Sequence, residues 1–153
     1  MLADQDLGCS QWVDAPDTVH FVLASDPVSI REGLRGFVAL DLMAPLTEES
    51  LGTVQIVLAE VLNNVVEHAY ARFPGMIEVW VTRRDTYLFL RTIDEGLTMP
   101  GGVLPDGKLT ASDDLPEGGF GWFLIRNLSH DLTYQRDGAR NRLSLCISVD
   151  YQA

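Results

Sequence analysis

The run from Ile56 to Tyr70 constrains the fold more than any other part of the chain. Ile56, Val57, Val61, Val65 and Val66 recur at helical spacing, which predicts one long helix. Glu60 and Asn64 stand one turn apart on it and share a face. A carboxylate beside an amide, followed by His68-Ala-Tyr70, has two readings. One is a polar helix face in water. The other is a place that holds a metal and activates a hydroxyl. An amide oxygen is a neutral hard ligand suited to Mg²⁺, and a carboxylate one turn earlier suits the proton. His68 reads most simply as a core or helix-end histidine.

The rest of the chain supplies the frame. Thr18–Ala24 reads as a first strand. Ser25-Asp26-Pro27 is a helix start, with a capping residue and then proline in the first turn. That helix is expected to run to about Leu42 on Ile30, Leu34, Phe37 and Val38, with Pro45 ending it. Thr47-Glu-Glu-Ser50 opens the helix that carries Glu60, and Phe73-Pro74-Gly75 closes it. Residues 76–93 alternate as an antiparallel hairpin turning at Arg83–Thr86. Residues 96–119 are rich in Gly, Pro and Asp and lack apolar periodicity, the mark of a functional or mobile loop. Phe120–Leu128 reads as a helix. Leu132–Arg136 and Arg142–Val149 read as a last hairpin around Asp137-Gly138.

This order predicts an α+β fold: a two-layer sandwich of a mostly antiparallel mixed sheet with helices on one face. Trp80 and Tyr87 are expected on the other face. Residues 1–17 are a lead-in and 18–153 a single domain.

Composition narrows the class. The chain is 46% hydrophobic and 22% charged, which suits an ordinary soluble domain with a core. No apolar run is long enough to span a membrane. The first ten residues carry acids and no basic region, so they do not read as a secretory signal, and a cytoplasmic protein is expected. Cys9 and Cys146 are too few and too far apart for a framework and read as free thiols. The net charge of −11 argues against direct nucleic-acid binding. A chain this acidic that takes a phosphate ligand must place its few cations nearby or use a divalent metal.

Two further motifs add chemistry. Thr92-Ile93-Asp94-Glu95-Gly96 closes a strand. Asp94 can accept a hydrogen bond from the exocyclic amine of adenine, and Gly96 lets backbone approach a base. By itself this is equally an Asp-x-Gly turn. Glu117-Gly118-Gly119-Phe120-Gly121-Trp122 precedes an apolar helix. Its backbone N–H groups can wrap phosphate oxygens at a helix N-terminus, or the glycines can serve as a hinge. It matches neither the Walker A pattern nor the dinucleotide fingerprint.

Taken in order, the three motifs resemble the N, G1 and G2 boxes of the GHKL superfamily of ATPases and kinases. The wording Glu60-x-x-x-Asn64-x-x-x-His68-Ala-Tyr70 and Gly119-Phe-Gly121-Trp-Phe-Leu-Ile125-Arg126 is most similar to the bacterial anti-sigma-factor serine/threonine kinases. The likeness covers roughly residues 18–149. It implies a Bergerat-type ATP-binding fold, with ATP and Mg²⁺ as cofactors. It implies Asn64 as metal ligand and Glu60 as the base that activates a substrate serine. Asp94 would read adenine with Gly96 beside it. Residues 97–118 would form the ATP lid, Gly119, Phe120 and Gly121 would lie at the phosphates, and His68 would lie near the nucleotide.

The partners implied are a STAS-domain anti-anti-sigma factor and a sigma factor or other regulator, with the kinase as a homodimer. The chain departs from the pattern at Thr98, where a second G1 glycine is common. It departs again at Gly138-Ala139, where a Gly-Thr pair is common. Two other functions share the fold: a sequestration module that binds ATP without transferring phosphate, and the catalytic half of a histidine kinase with its phospho-accepting His on another chain.

Overall fold

The computed structural model describes residues 17–107 and 119–153. Five strands form one sheet: β1 (Thr18–Ala24), β2 (Met76–Arg84), β3 (Tyr87–Asp94), β4 (His130–Asp137) and β5 (Arg140–Ser148). Their spatial order is β1-β2-β3-β5-β4, and every pairing among the described residues is antiparallel, with no parallel pair to make the sheet mixed. Three α-helices cover one face among the described residues: α1 (Pro27–Val38), α2 (Glu48–Asn64) and α3 (Gly119–Leu128).

Alternation along the strands decides which face is covered. Ile77, Val79 and Val81 of β2, Leu88 and Leu90 of β3, and Leu143, Leu145 and Ile147 of β5 point to the helices. They bury against Ile30 and Phe37 of α1, against Val54, Val57, Leu58, Val61 and Leu62 of α2, and against Trp122 and Ile125 of α3. The apolar face of α2 therefore runs across the middle of the sheet and fixes where its polar residues emerge.

The opposite face carries the residues of the other parity. Trp80 and Tyr87 lie there as expected and pack on buried Phe89 and Cys146. The His20 ring stacks on Trp80 at 3.8 Å between centroids. Burial pushes the Cys146 thiol up to about 11, so it is an inert, un-ionised thiol at neutral pH. Cys9 lies outside the described residues.

Both expected helix starts are capped. Asp26 accepts the Ser29 N–H at 2.8 Å, and Thr47 Oγ1 accepts the Ser50 N–H at 3.2 Å. Two helix ends differ from the sequence reading. Helix α1 stops at Val38 rather than near Leu42, and successive tight turns carry the chain through residues 39–45. The C-terminal residues hold that connection. Thr47 N–H donates to the Asp150 carbonyl at 3.0 Å and Gln152 N–H to the Pro45 carbonyl at 2.9 Å.

The single long helix of the sequence reading is two segments. Regular α geometry ends at Asn64. Val65–Ala69 form a wider π turn, closed by the Tyr70 N–H donating to the Val65 carbonyl at 2.9 Å.

Candidate nucleotide site

The π turn places the site. It follows Asn64 directly, and its Glu67 and His68, three and four residues on, line the same cavity as Asn64. Tyr70 ends the turn and is anchored at both sides of its hydroxyl. It donates to the Met76 carbonyl at 2.7 Å and accepts the Glu95 N–H at 2.8 Å. The end of α2 is thereby tied to the start of β2 and the end of β3.

A cavity of about 220 Å³ opens between α2, the π turn, α3 and the ends of β3, β4 and β5. Its lining includes three residues expected from sequence: Asn64, His68 and Asp94. Glu60 and Gly121 meet beside it. A Cβ placed on Gly121 would come within 2.8 Å of Glu60 Oε2 and 3.8 Å of Asn64 Oδ1. The first turn of α3 thus lies against the carboxylate-amide pair of α2, and glycine is what permits the approach. Gly119 begins α3, and Phe120 beside it is exposed rather than turned into the cavity.

Gly96 has a packing reason to be glycine. A Cβ there would overlap the backbone of Ala69, and the next residue, Leu97, donates its N–H to the Ala69 carbonyl at 2.7 Å. The close approach is to the π turn. Gly96→Ala is expected to cost about 1–3 kcal/mol, the scale of overpacking a tight contact. Urea unfolding would read it as a lowered midpoint with an unchanged slope.

Asp94 is 5% exposed. Its Oδ1 accepts from the Gly96 N–H at 2.9 Å and from Asn141 Nδ2 at 2.7 Å. Burial pushes its pKa up. The bonds from Asn141 and Gly96, and the nearby Arg136 guanidinium, pull it down by less.

Two cavity-lining groups are short of partners. Asn64 Nδ2 and Thr92 Oγ1 are buried with no hydrogen-bond partner among the described residues. Buried polar atoms are normally satisfied, so an unpaired amide and hydroxyl on one cavity wall fit a ligand that brings polar atoms.

Sequence reasoning missed Asn141, Tyr134, Thr92, Glu67 and Trp122 as lining residues. Asn141 lies directly opposite Asp94 in the β3–β5 register. With Tyr134 and Leu143 of the same hairpin it lines the cavity, whereas Ala139 sits exposed in the turn. Thr98, the other departure, brings its hydroxyl 3.2 Å from the Tyr134 hydroxyl. Arg126 does not line the cavity. Its Nε donates to the Pro105 carbonyl at 2.8 Å, holding the loop after β3 to α3. Residues 108–118 of the expected lid lie outside the described residues.

A carboxylate-amide pair against a glycine at the start of a helix, next to a cavity ending in a buried aspartate, defines a nucleotide-binding domain of the histidine kinase-like ATPase class. The family model described as the histidine kinase-like ATPase domain matches residues 23–147, and the chain belongs to that family. Among curated relatives it is 32% identical over 95 residues to the serine/threonine-protein kinase BtrW of Bordetella bronchiseptica, covering 61% of this chain and 67% of BtrW. Among solved structures it superposes on the RsbU and RsbW domains of Rv1364c from Mycobacterium tuberculosis with a TM-score of 0.57 at 15% identity. That match covers 89% of this chain and 33% of the other, so the chain spans a third of that structure's length and shares its fold. No described helix is long and apolar enough to cross a membrane.

Proposed function

We propose that this protein is an ATP-dependent serine/threonine protein kinase that acts as an anti-sigma-type regulator and phosphorylates a STAS-domain antagonist in a partner-switching circuit. The observation that carries the reading is the meeting of Glu60, Asn64 and Gly121 beside the cavity that Asn64 and Asp94 both line. A binding site alone has no need of a carboxylate where the reacting hydroxyl would arrive.

The electrostatics favour a metal with the nucleotide. The cavity's lining holds Glu67 and Asp94 but no Lys or Arg among the described residues. No cluster of three His, Cys, Asp or Glu suited to a metal occurs among them either. Mg²⁺ commonly takes one or two protein oxygens and completes its shell with water and phosphate. Asn64 would supply the protein oxygen. Bound Mg-ATP would supply the phosphoryl group and the charge neutralisation that such transfers require.

The chain's own residues would do the rest. Asp94 would orient the base, Gly119 and Gly121 would leave backbone N–H groups open to phosphate, and Glu60 would align the serine hydroxyl and take its proton. A sigma factor or similar regulator would be the sequestered partner, and a homodimer the working form.

Calorimetry tests the site directly. ATP is expected to bind in the presence of Mg²⁺ and weakly without it. Asn64→Ala is expected to lower Mg-ATP affinity by about tenfold or more, the scale of one contact to a charged group. Absence of binding with or without Mg²⁺ would remove the ATP reading.

A further inference from the structure

We infer that Asn141 and Tyr134 are positioning residues that hold Asp94 in one orientation and thereby set which purine edge the cavity accepts. The inference rests on the reading of Asp94 as the base-recognition group and adds what fixes its specificity.

Asn141 is held on every side, and besides the short bonds below its Nδ2 lies 3.5 Å from the Gly96 carbonyl. An amide side chain has two donors and two acceptor lone pairs. Nδ2 donates to Asp94 Oδ1 at 2.7 Å and to the Leu97 carbonyl at 2.9 Å. Oδ1 accepts from the Tyr134 hydroxyl at 2.5 Å and from Arg136 Nη1 at 3.0 Å. All four are used, on a residue that is 5% exposed. Flipping the amide would set its oxygen against Asp94 and the Leu97 carbonyl, and its NH₂ against Arg136. One orientation is therefore fixed by its neighbours.

That orientation fixes Asp94 in turn. Both of its donors, Asn141 Nδ2 and Gly96 N–H, fall on Oδ1. The second carboxylate oxygen is left as the acceptor for a base. Ionised and held this way, it favours a purine that offers an amine and opposes one that offers a carbonyl. Among the groups that lower the Asp94 pKa, the Asn141 bond is the largest, so it also favours the charged acceptor.

Tyr134 extends the same network to the cavity wall. Its hydroxyl donates to Asn141 and accepts the Met99 N–H at 2.9 Å. Arg136 Nη1 also donates to the Gly96 carbonyl at 2.7 Å. Leu97, Thr98 and Met99 all line the cavity. One partly buried network therefore sets both the acceptor and the start of the loop beside it.

The test compares ATP with purine riboside triphosphate, which lacks the 6-amine, by calorimetry on the wild type, Asn141→Ala and Tyr134→Phe. The wild type is expected to prefer ATP. Asn141→Ala is expected to lose about tenfold in ATP affinity while the amine-free analogue changes little, so the preference collapses. Tyr134→Phe, the milder change, is expected to reduce the preference in part and to speed amide exchange at Met99, which loses its acceptor. A structural defect would lower both affinities together. Unchanged preference in both variants would overturn the inference and leave the ATP reading standing. A wild type that binds both equally would overturn it by removing Asp94 as the reader, and one that binds neither would remove the ATP reading as well.

Discussion

Replacing Glu60 with alanine is expected to reduce phosphoryl transfer to a STAS-domain serine by about 10²–10⁴-fold, the usual contribution of a positioned general base. Mg-ATP affinity should stay within a few-fold. The split follows from where Glu60 stands. It lies one helical turn before Asn64, with Oε2 2.8 Å from the position a Gly121 Cβ would take. It is absent from the lining of the cavity that holds Asn64 and Asp94. Losing it removes a proton acceptor beside Asn64 and leaves the cavity's lining untouched.

Glu60→Gln keeps the size and removes the basicity, and it should match the alanine variant in rate. Transfer from γ-labelled ATP to the antagonist, with calorimetry alongside, measures both quantities. A Glu60→Ala protein that transfers at the normal rate would sink the base assignment. A wild type that binds Mg-ATP and its regulator but transfers nothing to any STAS-domain partner would leave the sequestration reading in its place.

What the sequence disclosed and what it hid divide along a physical line. Local signals were legible. Strand alternation in residues 76–93 placed Ile77, Val79 and Val81 inward, and Asp26 and Thr47 marked the helix starts they cap. The face shared by Glu60 and Asn64 needed only the helical repeat.

The hidden parts depend on geometry that no short window carries. The π turn at 65–69 differs from an α-helix by one hydrogen-bond step, and the apolar pattern continues smoothly through it. Gly96 reads as a turn glycine because its steric partner, Ala69, is 27 positions away. Asn141 meets Asp94 only through the β3–β5 register, and Tyr134 meets Asn141 only across the next pair. Helix α1 ends four residues short of the expected Leu42, which is buried from the tight turns that follow instead. The bond from Arg126 to the Pro105 carbonyl joins residues 21 positions apart, through a loop with no periodicity of its own.

Asp94→Asn is expected to separate binding from stability in opposite directions. The new amide can turn its oxygen to the Asn141 and Gly96 donors now on Oδ1, so the fold should be retained. Its NH₂ then faces the cavity, where the exocyclic amine of adenine needs an acceptor. Losing a bond to a charged group and gaining a donor-donor clash should lower ATP affinity by about 10–100-fold, and GTP should lose less or gain. The stability sign runs the other way. Burial raises the Asp94 pKa in the folded chain above its unfolded value. The stabilisation linked to this carboxyl is therefore fully present below the unfolded pKa and is lost as pH rises through the folded one. Above that range the raised pKa is a net cost to stability, and the neutral amide removes that cost. The variant should melt at or above the wild-type temperature at pH 7, with the difference fading on acidification. Calorimetric titration with ATP and GTP, beside thermal scans across that pH range, reads both effects. Unchanged ATP affinity would remove Asp94 from base recognition. A lower melting temperature at neutral pH would mean that the Asn141, Gly96 and Arg136 contacts outweigh the cost of burying the charge.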